Sequence, residues 1–127
     1  MLKDCVAYED ELKIFLIKLQ ITPNYRGYGY IVFIMRLIFD NPERLQHITK
    51  ELYMITAQHY GTDWRVVEHS IRIAVLRSWD KNPDRFKNLF SGWVKQRPST
   101  GKFLAFLYTY LYFVQEGKRI EGTEKNI

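Results

Sequence analysis

Little in this chain invites catalysis or oxidative folding. Its single cysteine, Cys5, can form no internal disulfide and fits a reducing cytosol, where an inert thiol is the expectation rather than a nucleophile. The three histidines, His47, His59 and His69, have no cysteine or carboxylate beside them at metal-ligand spacing, so core-edge or surface positions are expected. Gly27 and Gly29 precede no Gly-Lys-Ser/Thr element, which removes a phosphate-cradling loop. Glu9, Asp10 and Glu11 have no partner acid placed by the sequence and read as a solvated helix start. There is no basic-then-apolar leader. The most apolar run, Phe103 to Val114, falls short of the ~20 residues a spanning helix needs. These absences point away from an enzyme, a bound metal or cofactor and a membrane, and toward a soluble cytoplasmic protein.

What is present is apolar periodicity and positive charge. The 127 residues suit one domain, 1–127, large enough for a real core. Leu12, Phe15, Leu16 and Leu19 recur at the three-and-four spacing of one helix face, until Ile21-Thr22-Pro23-Asn24 breaks the pattern. Tyr28, Ile31, Val32, Met35, Ile38 and Phe39 form a second stripe, ended near Asp40-Asn41-Pro42. A third helix, starting near Pro42 or Gln46, would carry Leu45, Ile48, Leu52 and Ile55 inward. A fourth covers Asp63 to Trp79. Asn82-Pro83 predicts a cap and first turn for a fifth helix carrying Phe86, Leu89, Phe90 and Trp93. Ser99 or Thr100 would cap a last helix through Val114, apolar nearly all round, hence a core helix or a self-association surface. The expected fold is all-α, about six helices, with a helical core at about 9–115 and a frayed polar tail at 117–127.

The third and fourth helices flank Gly61-Thr62-Asp63, the layout of a helix-turn-helix at about 46–79, in a bundle unlike a winged helix. Val67, Ile71, Ala74, Val75 and Ser78 share one face and would pack against the third helix. Arg65, Glu68, His69, Arg72 and Leu76 share the opposite face. A helix fits the major groove, where arginine can bond guanine and glutamate can accept from cytosine. A solvated face laced with ion pairs is the alternative, since Glu68 and Arg72 are four residues apart. The chain has 19 basic and 14 acidic residues, a net charge of +5. Nine basic and four acidic residues lie between Thr62 and Lys102, so that segment alone carries the whole excess. Phosphate contacts are expected there, from Thr62 in the turn and from Arg97 and Lys102 around Pro98-Ser99-Thr100-Gly101.

An ordered series of motifs is more specific than this layout. It runs Tyr25-Arg26-Gly27-Tyr28-Gly29-Tyr30, then Ile48-Thr49-Lys50-Glu51-Leu52-Tyr53, then Ala57 and Tyr60-Gly61-Thr62. It continues with Val67-Glu68-His69-Ser70-Ile71-Arg72, Trp79, Leu89-Phe90, and Arg97-Pro98-Ser99-Thr100 before Phe103. Over Leu12 to Leu111 the chain resembles the C-terminal effector domain of the master response regulator of endospore formation in Firmicutes. The resemblance implies a recognition helix at Asp63 to Trp79 that binds a short promoter element, often in tandem copies. It implies base reading by Glu68 and Arg72, with Arg97 near the phosphates. The family's segment after the recognition helix touches the RNA polymerase sigma subunit, which here points to Lys81, Arg85 and Lys87.

Three departures stand against that pattern. His69 occupies a position that is arginine in the family, Ile73 one that is histidine, and the loop between Phe90 and Pro98 is shorter. One missing bidentate guanine contact costs ~1–3 kcal/mol of discrimination. Ile73 and Leu76 place apolar groups on or beside the reading face, toward thymine methyls or toward a protein partner. The family's phosphoacceptor receiver domain has no counterpart ahead of the first expected helix, so a stand-alone effector domain is expected, regulated by abundance or by a partner. Two functions follow from the sequence: a sequence-specific regulator of transcription, or a protein-interaction module, such as an antagonist, on the same scaffold.

Overall fold

The computed structural model describes the backbone of residues 2–125 and the side chains of residues 8–114, 116 and 117. The side chains of Cys5 and of the polar segment beyond Gly117 lie outside that description. Among the described residues the elements are α1 (Leu2–Lys18), α2 (Arg26–Asp40), α3 (Met54–Tyr60), α4 (Trp64–Lys81), α5 (Pro83–Leu89) and α6 (Thr100–Lys125). A 3₁₀ turn, Pro42–His47, and a π-helical turn, Thr49–Tyr53, lead into α3. The fold is all-α, as the periodicity predicts. None of the described helices is long and apolar enough to cross a membrane.

The centre is α2. Its sequence is apolar almost all round, and Ile31, Ile34, Met35 and Ile38 have no exposed surface. Helices α1, α4 and α6 and the 3₁₀ turn pack around it. The predicted stripe Leu12, Phe15, Leu16 and Leu19 is buried, as is the inner face of α4 from Val67 to Ser78. That inner face meets α2 as well as the expected third helix. Burial at ~25 cal/mol per Å² of apolar surface makes these contacts the main source of stability.

Helix ends follow local chemistry. Asp63 accepts from the Arg65 N–H at 2.8 Å, Asn82 from the Arg85 N–H at 3.0 Å, and Ser99 Oγ from the Lys102 N–H at 3.3 Å. Each satisfies a donor left over in a first helical turn. Three C-terminal ends share one motif, in which a left-handed residue lets two N–H groups turn back onto the helix. Gly61 does this at the end of α3 with φ 66°, the Thr62 N–H reaching the Ala57 carbonyl. Gln20 and Ser91 do it without being glycine.

Four boundaries differ from the periodic reading, each for a visible reason. Helix α1 begins at Leu2, so Glu9 to Glu11 lie within it rather than at its start. The Met54 N–H bonds the Thr49 carbonyl, five residues back. The extra residue in this π-turn advances the register. Leu52, Tyr53, Thr56 and Ala57 are therefore buried, while Leu45, Ile48 and Ile55 are only half-buried. Helix α5 stops at Leu89 because Ser91 and Gly92 take φ 56° and 79°, and Trp93 emerges 41% exposed instead of lining the core. Helix α6 continues to Lys125, past the expected core limit at 115; its first half supplies the buried Phe103, Leu104, Leu107 and Leu111.

Candidate DNA-binding surface

The predicted reading residues fall on the outer side of α4. Arg65 is 75% exposed and Arg72 58%, and His69 is exposed between them. Glu68 differs from its neighbours: its side chain is only 26% exposed and is already engaged. Thr100 Oγ1 donates to Glu68 Oε2 at 2.9 Å, and Arg72 Nε lies 3.4 Å from the same oxygen. The Arg72 NH2 group also meets His69 Nδ1 at 3.0 Å. Guanidinium can only donate, so His69 accepts here. Where a second arginine would repel Arg72, this histidine braces it. Arg65 lies over the Trp64 ring, 5.3 Å from its centroid, and 3.7 Å from Asp63 Oδ2. At that exposure the pair is worth ~0–1 kcal/mol, so the arginine can leave it for another anion.

Two walls border this face. On one side the start of α2 closes on α4. A Cβ on Gly27 would stand 2.6 Å from the Ser70 carbonyl oxygen, so only glycine permits the approach. The approach brings exposed Arg26 into a shallow depression with Trp64, Arg65, Glu68, His69 and Arg72. Sequence reasoning missed Arg26, although Arg26-Gly27 belongs to a quoted motif; the signal was a glycine in the first turn of an apolar helix. On the other side the segment Arg97–Gly101 forms a cleft of about 380 Å³ with Glu68, Arg72, Ile73 and Leu76. The two apolar side chains are half-buried against that segment, which accounts for their place beside the reading face.

Of the remaining predicted residues, Arg97 and Lys102 are exposed at the start of α6, beside this cleft and its neighbour. Thr62 is half-buried, and its N–H bonds the Ala57 carbonyl within the turn. Lys81, Arg85 and Lys87 lie around the corner from α4 into α5. Lys81 Nζ is 3.4 Å from the Tyr25 hydroxyl and 5.8 Å from the centre of that ring. Lys87 Nζ lies 5.6 Å from the centre of the Trp79 ring, and Arg85 is exposed. Tyr53, under Glu68, has its hydroxyl pKa raised by burial and then by the Glu68 charge, so it stays neutral. Among the described residues no three His, Cys, Asp or Glu side chains converge to hold a metal.

The arrangement is a groove-sized helix with a polar outer row and cations on both flanks. Comparison with known families adds an independent finding. The family model described as "Sporulation initiation factor Spo0A C terminal" matches residues 13–111. The chain belongs to this family, a family of DNA-binding regulatory effector domains.

Proposed function

We propose that this member of the family is a sequence-specific regulator of transcription that lays α4 in the major groove of double-stranded promoter DNA. One observation carries the reading: Arg65, His69 and Arg72 project outward beside Glu68, with Arg26 on one flank and Arg97 and Lys102 on the other. Cations on both flanks suit the two phosphate strands that border a major groove. Arg72 is suited to guanine and Glu68 to the cytosine amino group, with Arg65 and His69 at adjoining positions. Arg26, Thr62, Arg97 and Lys102 are suited to phosphates, which supply most of the salt-dependent affinity. The exposed Arg85 is the best-placed contact for the polymerase sigma subunit, since Lys81 and Lys87 lie against aromatic rings.

The test is a fluorescence-anisotropy titration across salt, with a duplex selected from a random pool and an unrelated duplex. Salt-sensitive binding with a clear preference for the selected duplex is expected. Absence of binding at low salt would sink the proposal. Arg97→Ala should weaken both duplexes alike and lower the salt slope by about one.

A second reading has its own support. Trp93, Tyr112 and Phe113 are exposed, and Phe113 meets both of the others, with ring centroids 6.1 Å apart for Trp93–Phe113 and 5.9 Å for Tyr112–Phe113. This patch suits a protein partner or a neighbouring protomer on tandem sites. Mass measurement at several concentrations, free and on DNA, decides it: a strict monomer under both conditions removes self-association.

A further inference from the structure

Thr100 stands apart from the groups already assigned. It is the first residue of α6, only 7% exposed, and its hydroxyl donates to a carboxylate 32 positions earlier on another helix. We infer that Thr100 is a positioning residue for base readout: it locks Glu68, and through Glu68 the Arg72 guanidinium, in the conformation that meets the bases. This deepens the proposed function and rests on α4 being the reading helix.

The geometry is selective. The bonds from Thr100 and Arg72 both fall on Glu68 Oε2, so Oε1 carries neither. One oxygen is thus tied to the protein while the other can accept from a base. A glutamate on an open helix face samples many rotamers, and fixing one of them opposes binding. Here that cost is met in folding, before DNA arrives. Buried Tyr53, which lines the same cleft, closes the site from below. Arg72 is then held from two sides, by Glu68 and by His69 Nδ1. The Thr100 hydroxyl is not needed to cap α6, because Ser99 Oγ already accepts from the Lys102 N–H. Arg97 and Lys102 flank Thr100, so a phosphate held there would seat the same helix start that holds the reading carboxylate.

The test uses the full chain and a duplex selected from a random pool by the wild-type protein, with each base pair then changed in turn. Thr100→Val keeps the side-chain shape and removes the donor; Thr100→Ser restores it. Thr100→Val should lose about tenfold in discrimination, the equivalent of about 1.4 kcal/mol, at the base pair that Glu68→Gln also affects. Preference elsewhere in the site, and the salt slope, should follow the wild type. Thr100→Ser should recover the lost preference. A Thr100→Val protein with wild-type preference at every position would overturn the inference and leave the regulator reading intact. Loss spread evenly over all positions with a lowered melting temperature, unrescued by serine, would also overturn it, as the mark of a merely structural residue. A wild-type protein that selects no sequence would end both.

Discussion

Two of the chain's basic surfaces hold their cations differently. On the outer face of α4 the arginines are exposed and each is near a carboxylate: Arg65 near Asp63, with the Trp64 ring beneath it, and Arg72 near Glu68, with His69 beside it. At the corner between α4 and α5 the lysines are laid over rings, Lys81 on Tyr25 and Lys87 on Trp79. In the sequence both belong to one positive stretch. In space the arginines of the first lie beside carboxylates, while the lysine stems of the second lie along an apolar edge. Net charge alone does not separate the two surfaces; what each cation already touches does.

The sharpest ways to break this contrast act beneath the surfaces. Phe86 has 1% exposure and its ring meets Trp79, Phe90 and Phe103 at 5.4, 5.4 and 6.1 Å. Phe86→Ala should cost about 3–5 kcal/mol and lower the melting temperature on the order of ten degrees. Well below that melt, DNA affinity should change little, because the cavity opens under the corner. Gly27→Ala should cost less stability, about 1–3 kcal/mol, but more function. Its methyl group meets the backbone of Ser70, which cannot rotate aside, so α4 itself must shift. Denaturant melts and DNA titrations on both variants test the pair. Equal affinity loss per unit of lost stability would erase the distinction.

A direct comparison replaces one cation from each surface. Arg72→Ala should remove about 1–3 kcal/mol of preference at one base pair and leave stability nearly unchanged. Lys87→Met keeps an apolar stem over Trp79 and removes the charge. It should leave DNA binding unchanged and cost about 0.5–1 kcal/mol of stability. Equal weakening of DNA binding by the two would mean that both surfaces face the duplex.

Much of the scaffold was legible because local chemistry decides it. The stripe of Leu12, Phe15, Leu16 and Leu19, the cap Asn82 and the glycine turn at Gly61 each depend on residues within a few positions. So does the outward row of Arg65, His69 and Arg72, which follows from helical spacing once Val67 and Ile71 are inside. The π-turn at Thr49–Tyr53 was not legible, since one extra residue shifts the register without leaving a gap in the apolar pattern. Nor was the end of α5, where Ser91, with no glycine's licence, takes the left-handed conformation. The candidate site was legible as an exposed row on α4 and opaque in its bracing. Arg26 reaches α4 only through the Gly27 contact, and Glu68 is held by Thr100 from far along the chain. Whether a lysine lies on a ring or in solvent is likewise a matter of tertiary packing.

An ion pair remote from both surfaces gives the smallest expected effect and a reference for the others. Glu9 on α1 and Arg36 on α2 face each other with Nε–Oε1 at 2.6 Å and NH2–Oε2 at 3.2 Å, a two-pronged contact. The Arg36 hydrogen bonds, with a smaller part from its charge and from Lys13, hold the Glu9 carboxyl below its ordinary 4.5 despite some opposing desolvation. A carboxyl depressed on folding binds fewer protons folded than unfolded. Its contribution is complete above about pH 4.5 and is lost as pH falls through the lower folded value. With Arg36 more than half exposed, solvent screening keeps the contribution under about 1 kcal/mol. Glu9→Gln should therefore lower the urea midpoint slightly at pH 7, and the gap from wild type should narrow as pH falls below 4.5. DNA affinity of the variant should match that of the wild type at each pH in that series. A gap that widened on acidification would mean that Glu9 is held by something other than Arg36.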